Sequence, residues 1–369
     1  MDSAKSSQPS FRLVARRFFL HVAGMSKHFF KKISGLVWLA TILSGNPIAA
    51  AAGDATPKTL TLKPVGAVSG TKTDGDFIIG PDYTNAPELM NRTEEPKGTL
   101  YDFTLASTNS RIYPGIAKTQ PGTVPYQRKL CVYVPQQYVP GMAAPLLVVQ
   151  DGLSYKSRLP VVLDNLIGEH RLPVMIAIMI NSGGGDAQGS ERGLEYDTVS
   201  DRYTTFIETE VLPMIEKDCH VKFTTNPQGR ATMGGSSGAA CAFTMAWFHP
   251  ELYRRVLSYS GTFVNQQSPF NPTAPHGAWE YHEHLIPQNS AKPLRVWLEV
   301  GERDNGYQRD EASRHNWVLA NQRMASVLKA KGYHYQFVFA TGAGHVDRKA
   351  VGQTLPDALC WLWQDYPLP

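Results

Sequence analysis

From about residue 96 to the C-terminus, short apolar runs alternate with longer stretches in which apolar residues return every three or four positions. GTLYDFTLAS (98–107) and RKLCVYVP (128–135) alternate apolar and polar side chains, the period of a half-buried strand. PLLVVQDG (145–152) and LPVMIAIMI (172–180) are continuous apolar runs, which suit strands covered on both faces. Further strands are predicted at 255–260, 294–301 and 333–340. In SDRYTTFIETEVLPMIEKD (200–218), Tyr203, Phe206, Ile207, Val211 and Ile215 fall at helical spacing behind Ser200 as an N-cap. Helices also fit 237–249, about 313–331 and about 354–364. Strand and helix in alternation over this length predict an α/β fold with a mainly parallel sheet.

The pattern upstream differs. Residues 53–95 are rich in Gly, Pro, Thr and Asp with little periodicity, and read as an extended arm ahead of a domain at 96–369. Residues 1–52 read as a secretory leader. Lys27, Lys31 and Lys32 form a positive segment, 33–45 is an apolar run too short for a comfortable membrane span, and small residues near Ala50–Ala52 offer cleavage sites. Met25 lies just before the basic cluster, so 1–24 reads as a mis-called start, and an uncleaved anchor is the alternative to cleavage. Cleavage would leave a secreted or periplasmic protein with no stable membrane insertion.

This leader changes the meaning of the net charge of +4. It holds seven of the 36 basic side chains and one of the 32 acids, so the rest carries 29 bases against 31 acids, a net of −2. No basic field remains to suggest nucleic acid as a partner. The four cysteines, Cys131, Cys219, Cys241 and Cys360, match no zinc spacing; disulfides and buried free thiols both remain open.

Candidate chemistry concentrates at three places. GRATMGGSSGAACAFTMAWFHP (229–250) contains G-x-S-x-G with Ser236 at its centre, between a strand-like and a helix-like run. That setting predicts a nucleophile elbow, with the hydroxyl projecting at a helix N-terminus where N–H groups favour negative charge. Ser237 is the rival nucleophile, and its N–H is the expected first oxyanion donor. The second should come from Gly152 or Leu153, in the turn after the strand at 145–152. A serine hydroxyl needs a base, and the base an orienting acid. Asp304 follows the strand in VWLEVGERDNG (296–306), with Glu302, Asp310 and Glu311 as rivals. His345 sits in the Gly-flanked loop of FATGAGHVDRKA (339–350) after the last strand, a better position than His249, His315 or His334. In ERGLEYD (191–197), Arg192, Glu195 and Tyr196 either line the substrate cleft or pin a long loop, pinning being favoured. SGGGD (182–186) lacks the ending of a phosphate loop. His282 and His284 in YHEH (281–284) have no third ligand evident nearby, so no metal is expected; they lie in a segment, 262–293, that suits a lid or substrate-selecting insertion.

The segments YQRKLCVYVPQQYVPG, LLVVQDG, GLEYDTVSDRYTTFIETEVLPMIEKD, GGSSGAACAFTMAWFHPELYRRVLSYSGTF, LEVGERDN and TGAGH together resemble the enterochelin-esterase-like and esterase-D-like esterases, from about residue 75 to the end. The resemblance implies an α/β-hydrolase fold and cleavage of carboxylic esters with no metal or cofactor. By motif position it maps nucleophile, acid and base onto Ser236, Asp304 and His345. Its substrates would be small-molecule or carbohydrate esters, such as a siderophore or a feruloyl or acetyl sugar; acyl transfer and a catalytically inactive binding module are the alternatives. One departure is Gly238-Ala239, where many relatives carry Gly-Gly.

Overall fold

A computed structural model describes residues 73–117, 121–184, 187 and 190–368. The leader at 1–52 and the first part of the arm lie outside the described residues. Eleven strands and seven α-helices are described, with short 3-10 and π turns between them. In chain order these are β1 (Gly75–Ile79), β2 (Thr99–Ala106), β3 (Gln127–Val134), β4 (Ala143–Ala144), β5 (Leu146–Gln150), α1 (Leu159–Gly168), β6 (Ile176–Ile180), α2 (Arg202–Phe206), α3 (Leu212–Asp218), β7 (Lys222–Phe223), β8 (Arg230–Gly235), α4 (Ser237–Phe248), β9 (Arg255–Tyr259), α5 (Ile286–Gln288), β10 (Arg295–Gly301), α6 (Trp317–Ala330), β11 (His334–Ala340) and α7 (Arg348–Trp363). Nine strands form one sheet in the order β1-β11-β10-β9-β8-β5-β6-β3-β2, and β4 pairs with β7 separately. All nine-strand pairings are parallel except those of β3 with β2 and with β6.

The central strands β5, β6, β8 and β9 are buried at every residue, as their unbroken apolar runs require when helices cover both faces. Two hydrophobic clusters lie on opposite sides of the sheet. Alternate residues of β5 divide between them: Leu146 and Val148 face one, Leu147 and Val149 the other. α4 belongs to the first cluster and is buried from Ser237 to Trp247. Within it Phe243 meets Phe263 and Tyr281 edge to face, at centroid distances of 5.7 and 4.9 Å.

Several elements differ from the expectation. The arm contributes a strand: β1 pairs in parallel with β11, so the sheet begins ahead of residue 96. α1 was not foreseen. The helix predicted at 200–218 is α2 and α3 joined by a π turn at Ile207–Val211. Segment 262–293, which suits a lid or a substrate-selecting insertion, is folded and buries Phe263, Val264, Trp279, Tyr281 and Ile286. The four thiols are unpaired. Among the described residues no helix is long and apolar enough to cross a membrane.

Candidate active site

β8 ends at Gly235 and α4 starts at Ser237, so Ser236 alone makes the turn, with φ 58° and ψ −129°. Such a backbone costs roughly 1–3 kcal/mol for a residue with a Cβ and persists only where its surroundings fix it. Here they do: Ser236 N–H donates to Tyr259 O at 2.9 Å, and its carbonyl accepts from Ala239 N and Thr262 N at 3.0 and 3.1 Å. The turn requires glycine at 234, because a Cβ there would stand 2.4 Å from the Gly238 carbonyl carbon.

β10 and β11 are neighbours, with Gly301 opposite Ala340, so the loops that follow them emerge side by side. Glu302 N–H donates to Ala340 O and Arg303 N–H to Ala343 O, at 2.9 and 2.8 Å, stitching the two loops together. Gly301 permits this approach; a Cβ would meet Gly344 O at 2.4 Å. His345 Nδ1–H then donates to Asp304 Oδ1 at 2.6 Å, with the Asp304 side chain fully buried and His345 a quarter exposed. The same Asp304 oxygen accepts from Asn305 N–H at 2.7 Å. Trp317 stands edge-on to the imidazole, with ring centroids 6.2 Å apart.

Ser236 and His345 line one cleft of about 450 Å³, together with Asp151, Ser154, Tyr155, Asn181, Gly235 and Val346. The Ser236 hydroxyl lies 3.4 Å from Thr262 Oγ1, which in turn accepts from Trp317 Nε1–H at 3.2 Å. Among the described residues no hydrogen bond joins Ser236 to His345; catalytic bonds of this kind are commonly long before substrate binds.

The rivals are engaged elsewhere. Ser237 Oγ is buried behind the turn, 3.5 Å from Gln266 Nε2. Glu302 is exposed and accepts from Gly342 N–H at 2.7 Å. Asp310 caps a 3-10 turn and Glu311 pairs with Arg323. His249 pairs with Glu251, His334 with Asp74, and His315 bonds to Ser313 O.

Of the two second-donor candidates, Leu153 N–H donates to Asn181 Oδ1 at 3.2 Å. Gly152 is buried against β6, where a Cβ would meet Met179 Cα at 2.3 Å. In the 191–197 cluster, Glu195 is buried in a pair with Arg128, and Tyr126 donates to it at 2.9 Å. Tyr196 is buried as well, and its hydroxyl accepts from Asp151 N–H at 3.3 Å. Arg192 reaches the cleft rim, 2.6 Å from Asp151 Oδ2.

Sequence reasoning missed Asn181, Asp197, Thr262, Trp317 and Glu299 at or behind this site. Burial pushes the Asp197 carboxyl up to about 6, against the Ser237 and Gln266 hydrogen bonds and the Arg192 charge. Burial also pushes Glu299 up to about 8; on β10 it accepts from Thr354 Oγ1 at 2.8 Å.

The fold has counterparts. The family model described as "Putative esterase" matches residues 123–362, more than half of the chain. No curated protein sequence matches. An enterobactin esterase of Shigella flexneri, solved in the presence of enterobactin, is similar at 20% identity and TM-score 0.51, over 73% of this chain and 60% of that one. A ferulic acid esterase is similar at 19% identity and TM-score 0.53, over 72% of this chain and 99% of that one. A ferulic acid esterase of the anaerobic fungus Anaeromyces mucronatus is similar at 13% identity and TM-score 0.53, over 76% and 96%. The match thus spans about 60% of the length of the enterobactin esterase. These likenesses establish an α/β-hydrolase-type fold, and by its sequence from 123 to 362 the chain belongs to the Putative esterase family.

Proposed function

We propose that the protein is an exported serine esterase that cleaves carboxylic esters through an acyl-enzyme on Ser236. The observation that carries this reading is the 2.6 Å bond from His345 to buried Asp304, opening onto the same cleft as the strained Ser236. Asp304 fixes the tautomer, leaving Nε2 as the acceptor for the Ser236 proton. Ser236 Oγ attacks the ester carbonyl, and the protonated imidazole returns its proton to the leaving alcohol oxygen. Water, deprotonated by His345, then cleaves the acyl-enzyme by the same steps.

Ser237 N–H at the start of α4 is the first oxyanion donor. The turn at 152–153 supplies the second: Gly152 N–H, or Leu153 N–H once it exchanges Asn181 for the oxyanion. Each such donor typically contributes about 3–4 kcal/mol to lowering the barrier. A cleft of about 450 Å³ suits a small acyl group. A siderophore ester or a feruloyl or acetyl sugar ester is the substrate class we propose, by analogy with the similar proteins named for enterobactin and ferulic acid.

Rates on p-nitrophenyl acetate, methyl ferulate and a catecholate trilactone, measured for the wild type, Ser236→Ala and His345→Ala, test the proposal. Hydrolysis should fall at least about a thousandfold in both variants. Full activity in Ser236→Ala would overturn it, and acylated sugar in place of free acid, with an acceptor present, would assign transfer instead.

A further inference from the structure

The histidine pair at 282 and 284 shows no third ligand in the sequence, but folding supplies other donors. We infer that His276, Glu280 and Glu283, with His284 beside them, form a site for a divalent transition metal ion, best suited to Zn²⁺, inside the 262–293 insertion. The donor atoms of His276, Glu280 and Glu283 all lie within 4.8 Å of one another. His276 Nδ1 is 2.9 Å from Glu280 Oε1 and 3.6 Å from Glu283 Oε2. His284 Nδ1 is 2.6 Å from Glu280 Oε2 and 3.9 Å from Glu283 Oε2. Zinc bonds to imidazole nitrogen and carboxylate oxygen of about 2.0–2.2 Å place tetrahedral donors roughly 3.3–3.6 Å apart. Small side-chain adjustments bring this set to that geometry.

A second, independent observation concerns the lone pairs. The side chains of His276 and Glu283 are partly exposed, but the atoms His276 Nδ1 and Glu283 Oε2 are themselves shielded from solvent and have no hydrogen-bond partner, although each has an oppositely charged or polar neighbour close by. His276 Nδ1 and Glu280 Oε1 are 2.9 Å apart without a hydrogen bond between them, which leaves the Nδ1 position without a partner. Arg314 Nε is 4.0 Å from Glu283 Oε2 and likewise lacks a hydrogen bond. Glu280 accepts from His284 Nδ1–H at 2.6 Å and from His276 N–H at 3.2 Å, whereas Glu283 Oε2 has no such bond, and a dication between them would compensate it. Mixed imidazole and carboxylate donors favour zinc over magnesium or calcium.

The site's placement gives the ion a role. It would tie His276 to the π turn Tyr281–Leu285. On that turn His282 Nε2–H donates to Phe263 O at 3.0 Å, and Phe263 follows Thr262, the neighbour of the Ser236 hydroxyl. The ion would therefore rigidify the insertion beside the nucleophile, and it would bind whether or not the protein is an esterase.

The full chain, prepared without a histidine tag and stripped with EDTA, should be titrated with ZnCl₂ by calorimetry and followed by metal analysis and thermal unfolding. One Zn²⁺ per chain with sub-micromolar Kd is expected, with a Tm rise of about 3–6 °C at a hundredfold excess over Kd. His276→Ala/Glu283→Gln should bind at least about 100-fold more weakly and lose the Tm rise. Isosteric Glu283→Gln alone should show the same direction, should the double variant not fold. His345→Ala should bind as the wild type does. No binding at 100-fold the wild-type protein concentration, binding unchanged in folded His276→Ala/Glu283→Gln or Glu283→Gln, or binding lost only in His345→Ala would overturn the site.

Discussion

Asp304→Asn perturbs the proposed triad with the least change in shape. The carboxylate accepts from His345 Nδ1–H at 2.6 Å and is shielded from solvent. At an effective dielectric of about 20, a full charge at that separation stabilises the imidazolium formed during attack by about 6 kcal/mol. Asparagine replaces the charge with a dipole, and its amide can present N–H to Nδ1. That selects the tautomer with its proton on Nε2, which cannot take the Ser236 proton. Losing most of the 6 kcal/mol corresponds to a fall of about 10³–10⁴ in kcat, since each factor of ten is about 1.4 kcal/mol. Steady-state kcat and KM on p-nitrophenyl acetate at pH 7.5, with circular dichroism to verify folding, provide the assay. KM should move little. A folded Asp304→Asn enzyme within tenfold of wild-type kcat would refute the charge argument, and a matching loss in Glu302→Gln would transfer the role to Glu302.

Gly301→Ala should separate the acid and base loops, because the new methyl meets Gly344 O at 2.4 Å; kcat should fall tenfold or more while p-nitrophenyl acetate KM changes less. Asn181→Asp puts a negative charge in the cleft that holds Ser236, opposing the oxyanion, so kcat/KM should drop by about tenfold or more. Glu299 titrates near 8 in the fold against an ordinary value of 4.5. Its raised value adds stability below about pH 4.5 that is lost as pH climbs through 8. Glu299→Gln should therefore hold its urea midpoint between pH 6 and 9 better than the wild type, by up to a few kcal/mol at pH 9; parallel curves would contradict this.

Much of this architecture is written in local pattern. Buried strands such as 146–150 and 176–180 announce themselves as unbroken apolar runs, because helices cover both faces and no position needs to be polar. Ser236 is legible because only glycine at 234 allows the strand to turn into α4. Asp304 and His345 are legible because each follows a strand end, and β10 and β11 proved to be neighbours. α1 was hidden by its own burial: LPVVLDNLIG is apolar on most sides and shows no polar face to mark a helix. β1 has no strong signal, since its pairing is set by the free edge of β11 rather than by its own residues. Asp197 and Glu299 look like surface charges in a sequence, and only the packing around them shows otherwise. The engagement of Leu153 N–H by Asn181, 28 residues away, depends on how the ends of β5 and β6 align, which no spacing encodes.

The central claim is that Ser236 is the nucleophile. A fluorophosphonate probe followed by proteolysis and tandem mass spectrometry tests it most directly. One adduct per chain on Ser236 is predicted, absent when His345 is replaced by alanine. An adduct on Ser237 or another residue, or none on a folded chain that hydrolyses esters, would contradict the account.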